Sequence, residues 1–164
     1  MSFGLTIFTF VHVVLSLVGI GSGLVVLGGL FAGKRLDRWT ALFLWTTVLT
    51  SVTGFFFPVE HFMPSHALGI VSLLVLGVAI VARYTFHLSG AWRPAYVVSS
   101  VIALYLNVFV LVVQLFQKVP VLHALAPTQS ELPFLLTQLL FLAIFVALAI
   151  AAAIRFRQQP VGTV

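Results

Sequence analysis

Five long apolar stretches occupy this chain, and nearly every charged residue falls between them. A bilayer core needs about 20 apolar residues per helical crossing. The stretches Phe3–Phe31, Trp39–Phe57, His66–His87, Pro94–Gln117 and Leu132–Ile154 meet or approach that length. The expected fold is therefore all-α: an integral membrane bundle of five transmembrane helices. Its connections are short, so residues 1–164 are expected to form a single transmembrane domain. Charged residues make up 7% of the chain. A soluble domain carries roughly 25%, so this composition places the chain in lipid, with the bilayer as its first partner.

Charge placement predicts orientation. Lys34, Arg35 and Arg38 follow the first stretch, Arg83 and Arg93 flank the turn between the third and fourth, and Arg155 and Arg157 follow the fifth. Lys118 alone falls on the other side. Short-loop basic residues mark the cytoplasmic face, so the N-terminus is expected outside and the C-terminus inside, in a bacterial inner membrane. The net charge of +5 is spread over helix ends rather than gathered in a patch, so no nucleic-acid partner is expected. Trp39, Tyr84, Trp92 and Tyr96 are expected in the aromatic belt at the inner boundary, and Arg83 is expected to snorkel to it. The first stretch exceeds a signal-peptide core in length and is expected to stay as a span.

Helical spacing predicts packing faces. His12, Ser16, Gly19 and Gly23 return to one face of the first helix, and Gly19 with Gly23 permits close backbone approach. Ala143, Ala147 and Ala151 repeat the four-residue spacing in the last helix. Threonine and serine in the second stretch are expected to bond to the preceding helical turn, which makes them inexpensive in lipid and undiagnostic of function.

Polar groups inside a span need partners and carry most of the functional expectation. His12 and Asn107 fall at matching depths, about 13 and 15 Å from the same surface at 1.5 Å per residue. Ser100, Asn107 and Gln114 share a face at seven-residue spacing, and Gln138 enters the last span from the same side. His12, Asn107, Gln114, His66 and Gln138 are therefore the candidate ligand or cofactor residues, lining a cavity toward the outer surface. Four of five histidines and two of three acids gather on that side. Imidazole with carboxylate can hold a metal, which makes Glu60, His61, His66 and His123 the candidate metal residues. The spacing of His61 and His66 matches no metal signature, and Pro64 keeps them off one regular helix.

Catalytic patterns are missing. The chain has no cysteine, which excludes disulfides, thiolate chemistry, iron–sulfur ligation and covalent haem attachment. It has no phosphate-binding loop, zinc-protease helix or nucleophile elbow. The expected function is a non-catalytic bundle that binds a hydrophobic ligand or cofactor in its outer half, or an accessory subunit among other membrane subunits. A redox carrier using haem b or quinone is the alternative, although His12 lacks an obvious second imidazole at its depth. A small permease lined by the second helix's hydroxyls is a further alternative.

Overall fold

A computed structural model describes residues 3–59 and 61–158. Helices dominate, and no strand occurs among the described residues. The helices are α1 (Phe3–Phe31), α2 (Asp37–Gly54), α3 (Pro64–Ile80), α4 (Trp92–Lys118), α5 (Pro120–Leu125) and α6 (Leu132–Gln158). A π-helical turn, Val81–Thr85, continues α3. Four helical segments are long and apolar enough to cross a membrane: α1, α3 with its π turn, α4 and α6. Helix α2 has 18 residues and opens on Asp37 and Arg38. It packs between α1 and α3 as the fifth long member of the bundle.

Local chemistry sets the ends. Gly33 takes φ 68° just after α1, a conformation that glycine adopts without strain. Its N–H reaches the Leu30 carbonyl at 3.2 Å and that of Lys34 reaches Gly29 at 2.8 Å, the paired closure that ends a helix on a left-handed residue. Pro64 and Pro120 stand in the first turns of α3 and α5, where the missing N–H has no helical partner to lose.

Helix boundaries depart from the apolar pattern. Helix α2 ends at Gly54 rather than Phe57, because Pro58 and the glycine favour a turn. Regular α geometry in α3 ends at Ile80 instead of running to His87. The π turn follows, and His87 and Leu88 then adopt φ of 47° and 60°. Helix α6 continues past Ile154 to Gln158, since arginine and glutamine are good helix formers. The short α5 falls in a segment expected to be loop.

Antiparallel packing puts the start of α1, the end of α2, the start of α3, the end of α4 and the start of α6 at one end of the bundle. The α1–α2 and α3–α4 connections and the end of α6, and hence seven of the eight basic residues, lie at the other. Helix α4 is central, touching α1, α3, α5 and α6, and it buries the longest face. Gly23 lets Leu104 and Phe43 close in: an added Cβ would stand 2.7 Å from one and 2.9 Å from the other. Helix α6 does not use its alanine stripe. Ala143 and Ala147 are exposed, and Phe145, Ala152 and Phe156 face the core. In a helix apolar all round, small residues mark a face only if the partner comes close enough to need them. Here α4 leaves room that phenylalanine fills.

Candidate functional site

Among the described residues, one cavity of about 120 Å3 is lined by α1, α2, α3 and α4 and includes His12, Asn107 and His66. Helix α1 brings His12 and Ser16 to it, α2 brings Thr47, Thr50 and Ser51, α3 brings His66 and Ser72, and α4 brings Asn107. Gly19 allows the approach. An added Cβ there would meet the Asn107 amide nitrogen at 3.0 Å and the Thr47 hydroxyl at 3.1 Å. The Ser16 hydroxyl donates to Asn107 Oδ1 at 2.9 Å, and Ser51 and Ser72 are joined at 3.0 Å.

Hydrogen bonds hold both imidazoles. Thr53 Oγ1 donates its proton to the Leu49 carbonyl at 2.7 Å, as a helical hydroxyl commonly does. It also lies 2.8 Å from His12 Nδ1, a pair in which either atom can supply the proton. At His66 the Nδ1 accepts the Met63 N–H at 2.9 Å, so Nε2 carries the proton of the neutral ring. His66 is held further by stacking between Phe55 and Phe62, and His12 meets Phe57 edge to face.

Thr47 is unlike the other hydroxyls of α2. It is 2% exposed, and its Oγ1 has no hydrogen-bond partner. Thr46, Thr50, Ser51 and Thr53 all donate to carbonyls one turn back, whereas Thr47 faces the cavity lining without such a bond. A buried orphan hydroxyl costs about 1–3 kcal/mol. One turn further from the cavity, Phe43 and Leu104 pack over Gly23 and close off this half of the bundle.

The other candidates lie elsewhere. Gln138 is buried on α6, donates to the Phe109 carbonyl of α4 at 3.3 Å, and is absent from the cavity because α6 packs on another side of α4. Gln114 stands two turns beyond Asn107, where the α5–α6 connection covers α4 and Gln129 donates to the Val113 carbonyl at 2.9 Å. His61 and His123 are exposed. Glu60 lies outside the described residues. Among those residues no three metal-binding side chains gather at one point.

The sequence reading missed a second polar cluster, at the basic end. Arg83 does not snorkel. It is 1% exposed and points into the bundle from the π turn. It donates to the Tyr96 hydroxyl at 3.1 Å, to the Arg35 carbonyl at 3.1 Å and to the Asp37 carboxylate. Its guanidinium lies 5.3 Å from the Tyr96 ring centre. Tyr96, expected in the aromatic belt, is fully buried for the same reason, while Trp39 and Tyr84 remain exposed. A signal was available: antiparallel α2 and α3 bring the start of one beside the end of the other. Among the described residues, Asp37 is the only acid at that end.

No protein-family model, curated protein or solved structure matches this chain.

Proposed function

We propose that this is a small five-span membrane protein whose cavity holds the neutral polar head of a small amphiphile. Thr47 carries the reading. A hydroxyl buried without a partner, in a cavity also lined by the His12 and His66 imidazoles and the Asn107 amide, suits a ligand able both to give and to accept hydrogen bonds. Size narrows the class. A dry engineered cavity of about 150 Å3 holds benzene, so about 120 Å3 suits one ring or a few polar atoms. Drug-sized ligands occupy roughly 300–1,000 Å3. A quinol or phenol head fits that size and polarity. Haem b does not, because it exceeds this space and needs two ligating imidazoles, and the His66 tautomer puts a proton on the nitrogen that would ligate. The apolar layer of Phe43, Leu104 and Gly23 likewise weighs against a water-lined permease.

Orientation belongs to the same proposal. Seven basic residues at one end put that end in the cytoplasm and the cavity in the outer half of a cytoplasmic membrane. The domain is one bundle, with α2 as its fifth crossing.

Binding of a benzoquinol with a ten-carbon alkyl chain, against the same compound methylated on both hydroxyls, tests the site by tryptophan fluorescence in detergent. Wild type should prefer the free quinol. Thr47→Val and His12→Phe should each reduce that preference about five- to tenfold, the value of one hydrogen bond. Equal binding of the two compounds would sink the reading, as would a haem Soret band in the purified protein.

A further inference from the structure

We propose a second ligand site at the basic end: a phosphate-bearing anionic headgroup held between Arg93 and Arg157. A concavity of about 670 Å3 opens there, lined by Leu88, Ser89, Gly90, Pro94 and the two arginines. It is separate from the His12 cavity, which α4 lines with Leu106, Asn107 and Val110 in its middle turns.

Charge balance carries the inference. The chain has three acids. Asp37 is engaged by Arg83 and lies within 3.8 Å of Arg35. Glu131 belongs to the α5–α6 connection, at the far end, and Glu60 lies outside the described residues. Among the described residues, Arg93, Arg155 and Arg157 therefore have no ion pair with a carboxylate. Arg93 is held in place, its guanidinium 5.4 Å from the Phe156 ring centre, while Arg157 is exposed. Two guanidinium groups facing one concavity, without an internal counter-ion, match the forked oxygen geometry of a phosphodiester.

The α4 N-terminus contributes little of this. Trp92 N–H and Arg93 N–H already reach the Ser89 and Gly90 carbonyls at 3.0 and 3.4 Å, and Pro94 has no N–H. The anion is bound by side chains, with the Ser89 hydroxyl as the neutral donor on the wall. Position selects the source. The site stands where α3, α4 and α6 leave the apolar zone, the depth of a lipid headgroup, and basic residues at that depth attract anionic lipid.

Native mass spectrometry of the full chain, released from micelles containing equal phosphatidylglycerol and phosphatidylcholine, tests the site. Wild type should retain phosphatidylglycerol selectively. Arg157→Gln, at an exposed position, should lower that retention about fivefold, and Arg93→Gln with Arg157→Gln about twentyfold, from the usual contribution of each surface cation. Arg38→Gln should leave it unchanged. A thermal-shift titration with inorganic phosphate at constant ionic strength separates the sources. Stabilisation by phosphate that Arg157→Gln removes, without lipid selectivity, would keep the oxyanion site and reject the lipid. Failure of both probes, or equal loss in Arg38→Gln, overturns the proposal.

Discussion

Replacing Arg83 with methionine isolates what the buried cation does. Methionine keeps most of the apolar stem, so the loss is chiefly polar. The Tyr96 hydroxyl, on a residue with 0% exposure, keeps only the Thr40 hydroxyl at 3.5 Å and is nearly orphaned, at about 1–3 kcal/mol. The Arg35 carbonyl is spared, since Thr40 still donates to it at 3.1 Å. The ion pair adds little: the Asp37 side chain is 59% exposed, and pairs open to solvent contribute at most about 1 kcal/mol. Arg83→Met should therefore destabilise the bundle by about 2–4 kcal/mol. Asp37→Asn should cost less than about 1 kcal/mol. Tyr96→Phe falls between them. The double variant Arg83→Met with Tyr96→Phe should be more stable than Arg83→Met alone, because the orphaned hydroxyl is gone and apolar groups replace both partners. Equilibrium unfolding in mixed micelles, followed by far-ultraviolet circular dichroism, gives all four values. Additive losses, or an Asp37→Asn loss as large as that of Arg83→Met, would refute the argument.

Three further outcomes follow from the geometry. Gly23→Ala should destabilise by about 1–3 kcal/mol through overpacking against Leu104 and Phe43; Gly21→Ala, with nothing within 4 Å of the added Cβ, should be neutral or stabilise by up to about 1 kcal/mol, and unfolding midpoints that fail to separate the two would contradict the packing. A reporter fused to the C-terminus should be active only in its cytoplasm-sensing form, and periplasmic activity would reverse the proposed orientation. Partial desolvation is the largest single influence on the Glu131 carboxyl and raises its pKa, but bonds from the Thr128 hydroxyl and from the Glu131, Thr128 and Ser130 backbone outweigh it and hold the group below the ordinary glutamate range. Its stabilisation of the turn before α6 is thus present above that range and lost as pH falls through the lowered value, and a carbon-detected titration with a midpoint at or above free glutamate would disprove this.

Hydropathy made the helices legible, because a chain this apolar must satisfy its backbone internally and helices do so locally. Rise per residue put His12 and Asn107 at one depth, whereas Asn107 meets Ser16 and Gly19, one to two turns along α1 from His12. The ends of α2 and α3 were not legible, because they depend on where turns and neighbouring helices stop the ladder. Rotation about each helix axis was equally hidden. With apolar residues on every side, periodicity cannot say which stripe faces the core, and so Ala143 and Ala147 proved exposed while Phe145 and Phe156 are buried. Gln138 had the right depth and the wrong side for the same reason.

By itself, then, the sequence determined the lipid-compatible composition, the segments that become helices, the asymmetry of basic residues and the absence of cysteine chemistry. These are properties of residues one at a time or of neighbours along the chain. Only the tertiary structure decided which polar groups have partners. It set His12 beside Thr53 and Ser16 beside Asn107, it left Thr47 open to the cavity, and it turned Arg83 inward onto Tyr96 and Asp37. Each of those outcomes depends on a donor and an acceptor from different helices arriving within about 3 Å, and helix rotation, which local sequence does not encode here, sets that distance.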